Sequence, residues 1–501
     1  VSFGPPPSSY TQSTLVADST QRNRRRRKLL GVVFVVVVAV LCAGGGFLWF
    51  GGDDPAGGDN KSTSATVPQG RLDVRQTVEK RPANTSGSMA FRFSADDMGP
   101  GEEYTTPGTW ATDKILAKGI NRTLVGFKIG KDAAAGDETW SIRLAGPICG
   151  VTRHVTVQGR TAVLHRSGED EESPCDHVSF VDLNTGDKLW DKSFPTSDTV
   201  FGQDPTSVTL THGTVAVTWG DGSAAYDMDK GSRLWKKSRV SDCKHMGLAG
   251  DRGLLMLLSC VHPKDTTYQV RKLDPRTGDA KWTYQVADGV KGVNLLSAEP
   301  AVIAPAAGDV EVTHLISLND RGKQRATVRL EGGHYVVNCE DPLDFGAVDN
   351  CPSTVVSGDQ VFVTSREDPH GDMVNNANRI VSFDLKTGKT VLKFESGRNQ
   401  LLYPLRMSGD QLLALRDSTD HITPSALVSL NPKTGKETPY FYYSLPIEGW
   451  TLTAPDSNDI VVQNGRLFFG APRAMGPTGG KKKEWVWLTI GIESAKQGRA
   501  S

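Results

Sequence analysis

The chain has 501 residues, with 57 basic and 57 acidic side chains, 53 glycines and 7 cysteines, a length that suits one large domain with an appended segment. Its charge is uneven: residues 1–28 hold Arg22, Arg24, Arg25, Arg26, Arg27 and Lys28 against the single acid Asp18, leaving 51 basic and 56 acidic residues beyond them. A net negative body excludes nucleic acid as the expected partner.

In chain order, residues 1–28 are polar, Pro- and Ser-rich and then basic, which predicts a disordered tail. Residues 29–50, from Leu29 to Phe50, contain no charge. At about 1.5 Å per residue, such a run crosses a hydrocarbon core of about 30 Å as a helix. The preceding basic cluster predicts a cytoplasmic N-terminus, and Trp49 and Phe50 fall where an interfacial aromatic belt belongs. The length of the run favours an uncleaved anchor over a removed signal. The expectation is a single-pass cell-membrane protein that contacts the bilayer through residues 29–50 and is otherwise extracytoplasmic. Residues 51–84, rich in Gly, Asp, Ser, Thr and Pro, read as a flexible linker, and 85–501 as the folded domain.

The domain is organised by one recurring stretch. Asp182-Leu-Asn-Thr-Gly186 is followed by Trp190, Asp227-Met-Asp-Lys-Gly231 by Trp235, and Asp274-Pro-Arg-Thr-Gly278 by Trp282. Asp384-Leu-Lys-Thr-Gly388 and Asn431-Pro-Lys-Thr-Gly435 continue the series. Worn copies stand at Gly136–Trp140, Asn319–Lys323 and near Gly498. Each copy joins two short runs of alternating apolar residues, which read as strands. Asp accepts hydrogen bonds from turn amides, Gly takes a positive φ before a bulge, and the Trp can fill the gap between neighbouring sheets. A spacing of about 45–50 residues makes each copy one blade of a radial array.

Strand, Asp-x-x-Thr-Gly, strand with Trp resembles the pyrroloquinoline quinone (PQQ)-type β-propeller repeat, over roughly residues 85–500. Quinoprotein dehydrogenases and the non-enzymatic, BamB-like envelope propellers share it. The resemblance implies an all-β fold of eight blades, seven being the alternative, beside the one transmembrane helix. The strand at Ser86–Ser94 is expected to close the ring by completing the last blade.

Six cysteines lie beyond the membrane run, and Cys42 lies within it. Cys149 and Cys175 flank one predicted hairpin (151–157 with 161–165), and Cys243 and Cys260 another. Hairpin geometry brings each couple within bonding distance, while Cys339 with Cys351 would close an inserted loop. Chemistry is harder to find. Quinoprotein enzymes carry adjacent cysteines and a calcium site, and no two cysteines are adjacent here. His154 and His165 could face each other across the first hairpin. The acidic run at Glu169–Glu172 reads as a solvated loop rather than a calcium site. The sequence reading is therefore a non-enzymatic protein-binding or scaffolding module of the cell envelope, with an envelope protein as partner and no cofactor. A sensor or receptor ectodomain is one alternative, and an enzyme using PQQ with calcium is the other.

Overall fold

The Asp-to-Gly turn is the element from which the architecture follows. In the computed structural model the Asp182 carboxylate accepts the Asn184 amide at 2.9 Å, and the Gly186 amide donates to the Asp182 carbonyl at 2.9 Å. The same pattern holds at Asp227, Asp274, Asp384 and Asn431, where the side-chain oxygen takes amides at 2.7–3.2 Å. Gly186 has φ of +77°, a left-handed conformation that favours glycine. The strand that follows is bulged between Lys188 and Trp190, which turns the Trp toward the next sheet.

The structure describes residues 69–495, apart from 96–97, 100, 131–136, 171, 197, 200–201, 204–205, 240–241, 309–310, 331–333, 340–347, 350, 367–375 and 477–486. The expected tail, the membrane run at 29–50, most of the linker and the turn near Gly498 lie outside the described residues. Among the described residues no helix is long and apolar enough to cross a membrane.

Eight antiparallel sheets form the eight blades. Blades 1–7 cover residues 109–143, 148–193, 206–238, 243–285, 290–329, 335–395 and 400–443, each with its first strand at one edge and its last at the other. Blade 8 combines Asp459–Gln463, Arg466–Gly470 and Trp487–Ser494 with Gly87–Ser94, which pairs along Trp487–Ser494. The N-terminal strand thus supplies the outer strand of the last blade and closes the ring. First strands of successive blades contact one another around the axis. Antiparallel pairing puts the strand 1–2 and 3–4 turns on one face and the longer 2–3 and 4–1 connections on the other.

The middle strands are buried on both sides rather than on one. Thr214–Trp219 is buried at every position, because each blade is sandwiched by two others. Polar–apolar alternation is kept in outer strands such as Glu138–Arg143, where Trp140 and Ile142 are the inward positions. The core therefore lies between blades: Phe180, Leu210, Val215, Val217 and Met228 share one cluster from blades 2 and 3. Each such side chain contributes about 1.5–3 kcal/mol.

Residues 69–84, expected within the linker, instead run as a strap along the face of tight turns. Arg71 pairs with Asp229, and His212 faces Asp73 at 3.1 Å, both on blade 3. The Arg75 amide donates to Val155 of blade 2 at 2.8 Å, and its guanidinium to the Ala111 carbonyl of blade 1 at 2.6 Å. Thr77 donates to Gln463 of blade 8 at 3.1 Å. Glu79, buried, takes the Asn464 and Gly465 amides at 3.0 and 2.6 Å and the Arg406 guanidinium of blade 7 at 2.5 Å. The strap then follows the outer strand of blade 7, where the Tyr442 amide donates to Thr85 at 2.8 Å. Low apolar content hid this segment from a reading based on hydrophobic pattern.

Two expected outcomes follow from this packing. Trp190→Ala removes an indole that is 9% exposed and should lower unfolding free energy by about 3–5 kcal/mol in urea titration. Glu79→Ala leaves the Arg406 guanidinium without its carboxylate and should cost on the order of 3–5 kcal/mol. Arg406→Met alone should also destabilise, because it leaves the buried Glu79 carboxylate without its cation, whereas the double substitution should cost less than the sum of the two.

Candidate functional site

First strands of the blades lie against one another inside the ring, and one segment of the chain reaches several of them. The first strand of blade 6 is split into Tyr335–Val336 and Thr354–Val356, both paired with Gln360–Ser365. The stretch between them is the expected loop, closed by the disulfide Cys339–Cys351 with both cysteines buried. Its described residues Val348 and Asp349 reach three other blades from the inside. Val348 lies where a Cβ on Gly247 of blade 4 would be, within 2.6 Å, and its carbonyl accepts the Leu295 amide of blade 5 at 2.9 Å. The Asp349 carboxylate faces His154 of blade 2 at 3.9 Å, and Arg153 donates to its carbonyl at 3.4 Å. Burial pushes the Asp349 carboxyl up, against the opposing charges of His154 and Arg153. Ser353 anchors the return of the loop on Asp456 at 3.2 Å. Val348 and Asp349 thus tie blade 6 to blades 2, 4 and 5.

The cysteines form three separate bonds, Cys149–Cys175, Cys243–Cys260 and Cys339–Cys351, none between neighbours in sequence. Among the described residues no group of three or more His, Cys, Asp or Glu side chains could hold a metal ion, and the turn aspartates take the amides of their own turns.

Cys243 and Cys260 close the open end of a hairpin as direct cross-strand partners, with Cα atoms 3.9 Å apart. In blade 2 the first strand is Ile148–Val151 rather than 151–157, and Cys149 reaches Cys175 on the third strand, with Cα atoms 6.0 Å apart. His154 and His165 are not brought together, since His154 faces Asp349 and His165 stacks on His177 at 5.2 Å.

His165, Ser179 and Asp191 superficially match a nucleophile–base–acid set. The geometry is wrong for one, because His165 turns the same nitrogen, Nε2, to Ser179 Oγ at 3.1 Å and to Asp191 Oδ2 at 3.0 Å. Ser179 meanwhile donates to Asp191 at 2.7 Å. The three side chains stand on adjacent strands of blade 2 and tie them together. Burial works against the Asp191 charge, but hydrogen bonds from His165 and Ser179 and the charges of His165 and Lys188 hold it well below the usual carboxylate range.

Two other buried groups are strongly perturbed. Lys118 is fully buried in blade 1, donates to Thr109 at 2.9 Å and lies 3.9 Å from Asp459 of blade 8; burial brings its pKa down to about 8. His245, on the first strand of blade 4, faces Ser223 Oγ at 3.1 Å, and burial, reinforced by Arg271, lowers its pKa to about 4. Neither had a sequence signal, because each sits in a strand whose periodicity looks ordinary.

The turn residues are inter-blade fasteners. Trp140, Trp190 and Trp235 donate their indole N–H to the carbonyls of Leu183, Met228 and Pro275 in the next blade's turn, at 3.1, 2.9 and 2.9 Å. The rings lie on Gly186, Gly231 and Gly278, where a Cβ would come within 2.4–2.7 Å. Trp282 packs on Gly322 in the same way, but its N–H has no partner. The turn there, Asn319 to Gly322, is one residue shorter, so the matching carbonyl is displaced. Gly388 rests on the Thr327 backbone instead, and Gly435 has nothing within 4 Å of a Cβ.

These fasteners, repeated through a closed ring of four-stranded sheets, define a PQQ-like β-propeller. The family model described as outer membrane protein assembly factor BamB matches residues 105–238 and 174–437, more than half of the chain, and the chain belongs to that family. Among solved structures it is similar to BamB from Moraxella catarrhalis, at 12% identity over 77% of this chain and 99% of that one, with a TM-score of 0.39. It is also similar to quinohemoprotein alcohol dehydrogenase from Comamonas testosteroni, at 11% identity over 84% and 79% of the two chains, with a TM-score of 0.47. A europium-containing methanol dehydrogenase shows 13% identity over 78% and 87%, with a TM-score of 0.42. Resemblances at these levels carry no argument about activity. In the comparison with curated protein sequences nothing matches.

The His245 environment predicts a pH dependence. Its folded pKa of about 4 lies below the unfolded value of about 6.5. The unfolded chain therefore takes up a proton first as pH falls, and stability drops between about pH 6.5 and 4, with no further loss from this group below that. Between pH 7 and pH 5 the loss should be roughly 2 kcal/mol. Denaturant titrations of His245→Gln at the two pH values should show a difference smaller by that amount.

Proposed function

We propose that this chain is a membrane-anchored, extracytoplasmic β-propeller that binds other proteins as a scaffold of the cell envelope. The observation that carries the reading is the closed ring of eight blades whose repeat residues are committed to fastening one blade to the next, a rigid frame that offers its surfaces for binding. Membership of the family whose model is described as an outer membrane protein assembly factor supports a binding role over catalysis. Placement at the membrane rests on the charge-free run 29–50 and the basic cluster before it. The disulfides suit an oxidising compartment, which supports the extracytoplasmic side. Rigid tight turns on one face and long connections on the other put recognition on the loop face or the rim.

The test has two arms. In-cell crosslinking followed by purification of the full chain from membranes should return a discrete set of envelope proteins. Titration of the purified full chain with PQQ and calcium should give neither saturable binding nor dye reduction with alcohol substrates. Dye reduction that depends on both additions would replace the scaffold reading with an enzymatic one.

A further inference from the structure

Among the eight outer strands, that of blade 3 stands apart by charge. Arg233–Ser238 holds Arg233, Lys236 and Lys237 and no acid, and Lys230 and Arg239 on its flanks extend the basic run without adding an acid. The outer strands of blades 1, 2 and 6 balance to zero, that of blade 7 is net negative, and those of blades 4, 5 and 8 carry one or two cations. Arg233–Ser238 is also an edge, paired only with Gly222–Asp227. Its cations project to both sides: Lys237 meets the exposed Asp279 of blade 4 at 3.1 Å, and Lys236 lies over the Trp219 ring at 5.8 Å. Arg239 meets the exposed Asp221 at 3.2 Å. Lys230, Arg233 and Lys236 are exposed, and none forms an ion pair among the described residues. Nearby acids are committed elsewhere, Asp229 to Arg71 and Arg160, Asp227 to Arg276, and Asp191 to His165 and Lys188. Beyond Arg239 the next acid in sequence is Asp242. The same blade receives the start of the strap. Arg71 pairs with Asp229, next to Lys230, and the Gly213 amide donates to the Leu72 carbonyl at 3.3 Å.

We propose that the basic rim of blade 3 docks on an anionic lipid surface and holds the propeller edge-on to the bilayer. The inference rests on the membrane placement proposed above and adds which blade meets the bilayer and which lipid charge it selects. Reach is the first argument for this occupant. Residues 51–68, 18 in number, separate the charge-free run from the strap. A Gly- and Ser-rich coil of that length has a root-mean-square span of about 23 Å and reaches about 60 Å at full extension. A tether that ends on blade 3 keeps that rim closer to the bilayer than the rim of blade 7 across the ring. Charge is the second argument. Anionic headgroups attract clustered Lys and Arg within a Debye length of about 8–10 Å. The chain beyond residue 28 is net negative, with 51 basic and 56 acidic residues, so the same surface repels other parts of the ring and the rim sets orientation as well as attachment. Lysines along an edge strand also discourage the addition of a further strand, which favours a lipid surface over a strand donated by a partner. Edge-on docking leaves the turn face and the loop face both open to other proteins.

The test reconstitutes the full chain in liposomes of phosphatidylcholine, with or without phosphatidylglycerol. A membrane-impermeant acetylating reagent then modifies accessible lysines, which are followed by mass spectrometry. Lys230 and Lys236 should react about fivefold more slowly in the anionic liposomes, and raised salt should remove the difference. Lys433, exposed on the blade 7 turn, should react alike in both. A chain carrying Arg233→Glu and Arg239→Glu, both at exposed positions, should lose the protection at Lys230 and Lys236. Equal reactivity of these two lysines in both liposomes, equal slowing of Lys433, or protection that survives the double substitution would overturn the proposal. Protection seen in native membranes but absent from protein-free anionic liposomes would overturn it too and assign the rim to an acidic protein. Flotation separates this failure from that of the membrane placement. Chain that floats with phosphatidylcholine liposomes but shows no lipid-dependent protection loses the docked rim alone, whereas chain that does not float loses both.

Discussion

The structure depends on an indole laid against a glycine. Trp190 on Gly231 and Trp235 on Gly278 each join a strand of one sheet to a turn of the next, and each reinforces the contact with a hydrogen bond to a turn carbonyl. The contact needs three conditions at once. The turn must have no side chain at its left-handed residue, the Asp must hold the turn open, and the bulge must rotate the Trp out of its own sheet. A flat aromatic group meets a flat peptide surface only when all three hold, which explains why the residues recur as a set. Elsewhere blades meet through interdigitated apolar side chains and single polar contacts such as Lys118 with Asp459 and Ser317 with Leu385.

This dependence explains what the sequence disclosed. The turn is local, its residue types are demanding, and repetition averages away noise, so the blades and their order could be read without coordinates. Ring closure by Gly87–Ser94 was legible too, because that strand resembles the outer strand that follows the first repeat turn. The hairpin disulfides Cys149–Cys175 and Cys243–Cys260 were legible because each couple flanks two predicted strands. The contacts that give this propeller its own character were not. Glu79 meets Arg406 across 327 positions of sequence, and Asp349 meets His154 from a loop that has no periodicity. Both are single polar contacts whose partners are set by the completed ring, so no local pattern announces them.

Strap and inserted loop both tie blades together from outside the repeat. Val348 and Asp349 join blade 6 to blades 2, 4 and 5, while the strap runs along the turn face from blade 3 to blade 7 and buries a carboxylate against Arg406. Each burial of charge is matched by backbone amides or a guanidinium, as low-dielectric surroundings require. The strap also leads directly into Gly87–Ser94, so the segment that closes the ring is held at both ends. Force transmitted from residues preceding 69 would load the strap's bonds to five blades before it reached the closing strand.

Departures from the repeat are then the places to look for what is particular to this chain. Between blades 1 and 5 the fastener is intact in packing, and its one lost hydrogen bond, at Trp282, goes with a shortened turn. From blade 5 onward the indole is gone: Ala326, Leu392 and Pro439 occupy the position. Ser317 takes over the hydrogen bond to Leu385, so the junction between blades 5 and 6 keeps its polar closure. Removing the ring while keeping the bond lets the Gly388 turn close directly on the Thr327 backbone, so peptide contact does there what an aromatic ring does between the earlier blades.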